Sequence, residues 1–433
     1  MRLLLVGGGG REHALAFTLA KSKQVTEIFV TPGNPGIALE PKITCVPIAT
    51  GEFAKLADFY KMKKLDFAVI GPDQALADGI VDFFENAGIP TFGPTKAAAQ
   101  IESSKAFSKN LMKAAGIPTA RYEVFTEWKN ARDFLQTVSW GSGWVVKADG
   151  LALGKGVTVC SNREEALHVT ESFLQGGAMG IAGKTVVLEE RLLGREVSGF
   201  FLCDGQDAVC LGYACDYKQL QDGGAGPNTG GMGSYSPVAW IGSRTQERVS
   251  QEIVNPLLKT MRERNIPFKG VLFVGLMIHD GVPKVIEFNA RFGDPETQSL
   301  LPILNEDLLP WLLAARDGAL GKMPKIGPQK KDVAVHVVLA AHGYPGGAGL
   351  EVRKGDTIQI PAELLPSEEE RRVKLFFAGV GRQGNPPCFV TNGGRVLGLT
   401  VIAPTQEEAR RTVYELLPTI QFAGSQRRSD VGS

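Results

Sequence analysis

Val-Ile-Glu-Phe-Asn-Ala-Arg-Phe-Gly-Asp-Pro-Glu-Thr-Gln, residues 285–298, is the stretch that decides how this chain is read. Its first five residues alternate in character. On an extended strand that alternation predicts Val285, Glu287 and Asn289 on one face and Ile286 and Phe288 on the other. Ile and Phe suit a core. A carboxylate and an amide two residues apart, roughly 6–7 Å between Cα atoms, can share a hard cation. Such oxygen donors suit Mg2+, with nucleotide phosphates and water completing its shell. Arg291 and Asp294 follow beside Gly293 and Pro295, which concentrates charge in a rigid bend. One Glu alone would be read as part of a solvated edge strand. The whole stretch, with its glycine-rich companions, reads as a site.

Composition narrows the classes. The 433 residues are 43% apolar and 21% charged, with a net charge of +1. The length suits about two to four domains with a sizeable core. Near-neutral charge gives no electrostatic case for nucleic acid or an anionic membrane. No apolar run approaches the roughly 18–20 residues of a membrane span. Met1–Val6 leads straight into Gly7–Gly10 and reads as a strand, not a signal peptide. The six cysteines include no Cys-x-x-Cys, and the five histidines are scattered. These are expected to be reduced cytoplasmic thiols, with no disulfide frame or zinc site.

Toward the N-terminus, Leu3–Val6 is an apolar run followed by Gly7–Gly10, Arg11, Glu12, His13 and a helical pattern through Ala20. Strand, glycine loop and helix can bind an anion through amides at the helix start. The dinucleotide fingerprint is incomplete, because His13 stands where its third glycine would fall. Ile28–Val30 ends in Thr31–Gly36 instead of an acidic ribose ligand. The loop therefore reads as holding a sugar phosphate rather than NAD. Helix Phe53–Lys61, strand Phe67–Ile70, helix Ala75–Ala87 and strand Thr91–Gly93 continue the alternation, predicting a doubly wound parallel sheet. Gly7–Gly10, Thr31–Gly36 and Gly71–Asp73 all fall at the carboxyl ends of its strands, where ligands gather. Asp73 could instead cap the next helix.

After a helical stretch at Lys96–Ala115, strands Trp144–Lys147 and Gly156–Val159 flank Ala148–Lys155. This is not a Walker loop: no Ser or Thr follows the Lys, and a strand comes next. It reads either as a flap whose amides cover a triphosphate, with Lys147 and Lys155 as charges, or as an ordinary hairpin. Thr185–Leu188 runs into Glu189–Glu196, an arrangement able to present a backbone hinge to adenine and a carboxylate to ribose. Residues 197–215 read as sheet, with Cys203, Cys210 and Cys215 as small core side chains. Asp222–Gly233 is glycine-rich enough to need a role, as ligand closure or as linkage. Glu247–Arg264 reads as a helix. Gly270–Ile278 is a strand, returned by a turn at His279–Gly281 into the Glu287 strand. A helix over Leu300–Ala315 and a Gly/Pro/Lys linker at 321–331 follow. Then come strands Val333–Ala340, Thr357–Ile360 and Lys374–Phe377, and a hairpin Cys388–Val401 turning at Asn392–Gly394. The last helix starts at Thr405 with a capping box to Glu408.

These loops and the Glu287 strand resemble the ATP-grasp superfamily. End to end, the chain resembles the phosphoribosylamine–glycine ligase family. The likeness runs through Gly-Gly-Arg-Glu-His (9–13), Pro-Gly-Asn (32–34) and Lys-Ala-Asp-Gly-Leu-Ala-x-Gly-Lys-Gly-Val (147–157). It continues through Gly-Pro-Asn-Thr-Gly-Gly-Met-Gly (226–233), Arg-Phe-Gly-Asp-Pro-Glu-Thr (291–297) and Val-Thr-Asn-Gly-Gly-Arg-Val (390–396). The resemblance implies an α/β multidomain fold: a doubly wound parallel N-terminal domain (1–103), an ATP-grasp domain (104–320) with a lid at about 120–190, a linker (321–331), a small α+β domain (332–424) and a tail (425–433). It implies joining of glycine to 5-phosphoribosylamine at the expense of ATP, through glycyl phosphate, in the second step of purine synthesis. Glu287 and Asn289 would hold Mg2+ or Mn2+. Lys105, Lys147, Asp149, Gly150, Gly154, Lys155 and Gly156 would surround the phosphates. Glu189, Glu190 and Leu192 would face adenine, and Glu196 ribose. Gly9, Gly10, Arg11, Glu12, Asn34 and Asp73 would cradle phosphoribosylamine. Arg291, Asp294, Asn228 and Thr229, with Lys147, would lie at the reacting groups. The partners implied are these small molecules, with no nucleic acid or membrane, and a monomer or small homo-oligomer.

The chain departs from the family pattern at four positions. Gly275 occupies the place of an additional metal-binding acid found in many ATP-grasp enzymes. Asp73 replaces a usual Glu, Asp78 a common Lys, and Tyr217 a frequent His. Two other functions compete. One is an ATP-grasp carboxylase, which the 226–233 motif disfavours. The other is a nucleotide-binding regulator, which has no need of Lys147, Glu287, Asn289 and Arg291 together.

Overall fold

A computed structural model describes residues 1–151, 156–324, 326–327, 331–347, 349–365 and 372–433. The N-terminal strands form a five-stranded parallel sheet. Its spatial order is Ile43–Cys45, Glu27–Pro32, Arg2–Gly7, Phe67–Ile70, Thr91–Phe92. Near-continuous apolar runs such as Leu3–Val6 and Phe67–Ile70 are buried on both faces, as helix-covered parallel strands require. The two helical stretches read there as continuous are each divided. Gly79, at φ +97°, separates Asp73–Asp78 from Ile80–Asn86. Ser104, extended at φ −135°, separates Lys96–Ser103 from Lys105–Ala115 and caps the second helix.

The largest sheet has eight antiparallel strands. Their order is Val282–Asn289, Lys269–His279, Arg195–Asp204, Ala208–Asp216, Gly233–Ser236, Val333–Ala340, Arg395–Ala403, Val373–Phe377. Gly233–Ser236 is thus the seam through which the C-terminal strands extend the sheet carrying Glu287. Two expectations fail in this region. Residues 357 and 359 make isolated bridges to Val390 and Gln421 instead of a strand. The 388–401 segment is not a hairpin: Cys388–Thr391 pairs with Val380–Gln383, while Arg395–Ala403 joins the large sheet. The turn between them is drawn to Gly379, whose carbonyl accepts the Asn392 N–H at 2.7 Å.

A separate four-stranded antiparallel sheet runs Tyr122–Phe125, Val186–Glu190, Trp144–Ala148, Val157–Cys160. It has its own core around Trp140, Trp144, Leu135 and Phe173. Gly154 and Lys155 lie outside the described residues. The C-terminal residues, expected as a tail, are docked. Val431 is fully buried, and Arg428 donates to the Gln219 carbonyl at 2.9 Å. Among the described residues no helix is long and apolar enough to cross a membrane.

Two buried histidines tie the parts together. His13 Nδ1 accepts the Phe377 N–H at 2.9 Å, and its Nε2 lies 2.9 Å from Glu40, which also pairs with Lys374. One side chain of the first helix is thereby fixed to a C-terminal strand. His336 Nδ1 lies 2.8 Å from the Thr400 hydroxyl, which itself donates to the Gln298 carbonyl at 2.9 Å. The ring must therefore donate from Nδ1. Burial, reinforced by Arg395 and opposed by Asp294, pushes its pKa down to about 3. An imidazole kept neutral when folded but protonated when unfolded loses stability as pH falls below the unfolded value of about 6.5, by about 1.4 kcal/mol per pH unit. Denaturant unfolding at pH 7 and pH 5 should therefore show a smaller acid loss in His336→Gln, by about 2 kcal/mol. Equal losses in the two proteins would contradict the assignment.

Candidate active site

The strand bearing Glu287 does not alternate as its sequence predicts. Glu287 stands opposite Gly275 and Val285 opposite Leu276, so Ile286 is an extra residue in a β-bulge. Val285 and Phe288 consequently both enter the main core, and Val285 leaves the face of Glu287. The strand's outer edge supplies the reason. The Val285 N–H donates to the Pro118 carbonyl at 2.8 Å, and the Thr119 hydroxyl to the Val285 carbonyl at 2.6 Å. The bulge leaves the Ile286 carbonyl to accept Lys147 Nζ at 3.1 Å.

Cations converge on Glu287. Burial alone would raise its pKa, but Lys218, Lys147, Lys105 and Arg291 hold the carboxyl below the usual range. Each of three of these cations has a carboxylate behind it. Lys147 lies 2.9 Å from Glu189, Arg291 lies 2.8 Å from Glu102, and Lys218 pairs with Glu196. Lys105 instead donates to the Gly150 carbonyl at 2.8 Å, and burial lowers its pKa. Lys218 stays charged: burial disfavours this, but Glu196, Asp216 and Glu287 raise its pKa well above the ordinary value. The sequence offered no signal for this role, since Glu196 is 22 residues away.

Glu189, whose backbone is expected at an adenine hinge, gives its side chain to two buried lysines. It sits inside the four-stranded sheet, between Tyr122 and Val145, and its side chain is buried. Its other oxygen lies 2.8 Å from Lys109 Nζ. Lys109 also donates to Thr119 at 2.7 Å, which links Glu189 through Thr119 to the bulged strand. Burial pushes Lys109 down to about 8 despite Glu189. Lys109 went unread, although it lies one helical turn from Lys105. Glu190 is at the rim, 2.6 Å from Arg121 Nε. Beside it a cleft of ≈ 420 Å³ is lined by Leu192, Leu193, Met277 and Lys284, among others. Asp149 acts as a cap, accepting the Ala106 N–H at 3.1 Å and the Ser104 hydroxyl at 3.2 Å. Gly150 is brought against Ala182, where an added Cβ would lie 2.8 Å away, and the Gly156 carbonyl accepts the Ala148 N–H at 2.8 Å.

The N-terminal loop meets the 291–298 turn. Glu12 passes between Gly7 and Gly71, where an added Cβ would lie 2.3 Å and 2.2 Å from its side chain. Its carboxylate accepts the Gly9 N–H at 2.8 Å and Arg11 Nε at 2.6 Å, so Glu12 fixes the loop and aims Arg11. Gly10 lies against Gln298, and Arg11 reaches toward the Phe292 carbonyl at 3.4 Å. Asn34 spends its amide on backbone: its oxygen accepts from Gly36 and Ile37, and its nitrogen donates to Gly8 at 2.8 Å and Phe377 at 3.0 Å. Glu12 and Asn34 both hold the backbone of the loops expected to cradle the substrate. Asp73 starts its helix, accepting the Gln74 N–H at 3.0 Å, and adds negative potential at Arg11. Asp294 is held below the usual range: burial opposes this, but Arg395 and Arg11 prevail. Thr229 is also committed, since its hydroxyl donates to the Lys218 carbonyl at 2.8 Å. Asn228 lies on a short hairpin, 3.2 Å from Gln219. Tyr217 receives the Gly432 N–H at 2.9 Å, so this departure from the family pattern anchors the C-terminus.

Glu287 and Asn289 fit a hard cation. The Asn289 nitrogen donates to the Phe288 carbonyl at 3.1 Å, leaving the amide oxygen as its remaining acceptor. Among the described residues no cluster of three or more His, Cys, Asp and Glu forms a cage. One carboxylate and one amide suit an ion whose other ligands are phosphate and water oxygens.

Three family models match the chain. They are the phosphoribosylglycinamide synthetase N domain over residues 1–102, the ATP-grasp (A) domain over 103–297 and the C domain over 334–433. The chain belongs to the phosphoribosylglycinamide synthetase family. It is similar to phosphoribosylamine–glycine ligase of Vibrio vulnificus strain YJ016, with 43% identity covering 100% of this chain and 98% of that one. The Ralstonia nicotianae protein of the same name is also 43% identical, covering 100% and 99%. The crystal structure of phosphoribosylamine–glycine ligase from Thermotoga maritima matches with a TM-score of 0.84 and 36% identity, over 99% of this chain and 100% of that one. A biotin carboxylase from Campylobacter jejuni shares the fold at 14% identity and a TM-score of 0.73, over 98% and 92%.

Within this synthetase family fold, Lys109 should matter through Glu189. Removing one partner of a buried ion pair costs about 3–5 kcal/mol. Lys109→Met should lower the denaturant midpoint accordingly, and Lys109→Arg should lower it less. An unchanged midpoint in Lys109→Met would show that the pair is dispensable.

Proposed function

We propose that this protein joins glycine to 5-phosphoribosylamine, converting ATP to ADP and phosphate and yielding glycinamide ribonucleotide. The observation that carries the reading is the convergence of Lys105, Lys147, Lys218 and Arg291 on Glu287, in a chain matched end to end by phosphoribosylamine–glycine ligases. Such a field suits a triphosphate and the charge that develops as a phosphoryl group moves. A carboxylate oxygen of glycine attacks the γ-phosphorus, and the bond to ADP breaks. The amine of phosphoribosylamine then attacks the carbonyl carbon of glycyl phosphate. Phosphate departs with the bonding electrons, and the amine releases a proton.

In this reading Lys105 and Lys147 orient the phosphates, and Gly150–Gly156 covers them. Leu192 and Glu190 border adenine, and Glu196, paired with Lys218, faces ribose. Gly9, Gly10, Arg11 and Asp73 surround phosphoribosylamine. Arg291 and Asp294 face the reacting groups, and Asn228 with Thr229 closes over them. Glu287 and Asn289 would hold Mg2+ or Mn2+, which would neutralise phosphate charge when bound. Residues 120–190 act as a lid that excludes water from the acyl phosphate. The protein works in the cytoplasm on small molecules, as a monomer or small homo-oligomer.

Product identification after mixing protein, ATP, glycine and freshly generated phosphoribosylamine is the direct test. Phosphate release should require both co-substrates, and release driven by bicarbonate would refute the ligase reading. Glu287→Gln and Lys147→Ala should each lower kcat by about 100-fold or more while folding persists. Near-normal turnover in either would remove that side chain from the chemistry. Proteolysis within 150–156 should slow when ATP is added, and equal cleavage would argue against the lid.

A further inference from the structure

The 390–396 motif finds no place in the chemistry above, yet its Arg395 touches both segments that border the reacting groups. Arg395 opens strand Arg395–Ala403, directly after the turn that packs on Gly379. Its Nη1 donates to the Gly230 carbonyl at 2.6 Å and the Asp294 carbonyl at 2.7 Å, with the Gly231 carbonyl farther off at 3.5 Å. Its Nη2 lies 3.0 Å from Asp294 Oδ2, and the other oxygen of Asp294 accepts Gln298 at 2.8 Å. One planar guanidinium thus joins the glycine-rich loop, the 291–298 turn and the C-terminal strand. No Lys could reproduce this set, since an ammonium is a point donor without the rigid fork.

The surroundings are shaped to this group. The Gly230 N–H donates to the Tyr344 hydroxyl at 2.9 Å. A Cβ at Gly230 would lie 3.1 Å from Arg395 Cζ, and one at Gly394 would lie 2.3 Å from the Tyr344 ring. Gly231, at φ +108°, presses on Pro295, where a Cβ would lie 2.4 Å from Cδ. A glycine pair is required where this loop lies flat between guanidinium and proline. Thr229, immediately before, returns its hydroxyl to the Lys218 carbonyl, so the position of Gly230 is passed to the loop that carries Lys218.

We propose that Arg395 is a positioning residue for ligation, a C-terminal guanidinium that clamps the Thr229–Gly231 loop to the Asp294 turn and so keeps both in place around the acyl phosphate. The proposal rests on the reading given under Proposed function. It acts through Asp294 and the loop, not by contact with ATP. Loss of the clamp should therefore lower kcat and leave the apparent KM for ATP nearly unchanged. A loosened loop should also admit water, so that phosphate release exceeds product formation.

The test compares Arg395→Met, Arg395→Lys and Tyr344→Phe in the full-length protein. Arg395→Met should lower kcat by about 100-fold, with the KM for ATP within about twofold. Arg395→Lys should recover little, and added guanidinium should partly restore Arg395→Met. Amide hydrogen exchange at residues 228–233 should quicken in Arg395→Met, and less so in Tyr344→Phe. Unchanged kcat, unchanged exchange at 228–233, or a fall in kcat matched by a rise in the KM for ATP would overturn the proposal. If Arg395→Met does not fold, Tyr344→Phe decides: faster loop exchange with lower kcat supports the clamp, and unchanged values reject it. Failure of the ligase reading is distinguishable, because wild-type protein would then make no glycinamide ribonucleotide while the exchange comparison would still report on the clamp.

Discussion

The constraint on which this structure turns is the cost of gathering positive charge before a polyanion arrives. Lys147, Lys218, Arg291 and Lys105 all act on Glu287. Unpaired, such partly buried cations would each lose several kcal/mol of solvation and repel one another. The fold answers with carboxylates placed behind three of them: Glu189 for Lys147, Glu196 for Lys218 and Glu102 for Arg291. The cations are thereby held at fixed positions, which is what preorganised stabilisation of a moving phosphoryl group demands. Glu102 does further service, accepting the Ala290 N–H at 2.7 Å and so fixing the turn that carries Arg291.

That arrangement depends on long-range architecture. The strand bearing Glu287 is at one edge of an eight-stranded sheet, and the C-terminal strands occupy the other. Between them, Gly233–Ser236 joins the two groups of strands, immediately after the glycine-rich loop. The loop, the 291–298 turn and the N-terminal glycine loop then meet in one region. Gly10 lies against Gln298, Asn34 against Phe377, and His13 binds the backbone of that same strand. Segments from three parts of the chain are therefore registered by side chains directed at backbone, a precise device because backbone groups have little freedom.

Much of this was legible in the sequence. Apolar runs alternating with helical periods specified the parallel sheet, because strands covered on both faces need continuous hydrophobicity. The Glu287–Asn289 pair and the clustered glycines pointed to the candidate site. Side-chain roles were less legible. Glu12, Asn34, Asp149 and Glu189 have the chemistry of ligand contacts, yet their polar atoms are used by backbone or by buried lysines. Local sequence cannot tell these uses apart, since the competing partners lie in other segments.

What the sequence by itself determined is the alternation that builds the parallel sheet, most of the other strands and helices, and a candidate phosphate-handling site. The family assignment also follows from it, because motifs such as residues 226–233 and 291–297 are local strings. Tertiary structure alone decided which carboxylate backs which cation, that Ile286 bulges so Lys147 can reach its carbonyl, and that Arg395 clasps two distant turns. The physical reason is separation along the chain. Glu102 and Arg291 are brought to 2.8 Å only when helix and strand pack, and the energy of such a contact depends on a burial that no local window of sequence contains.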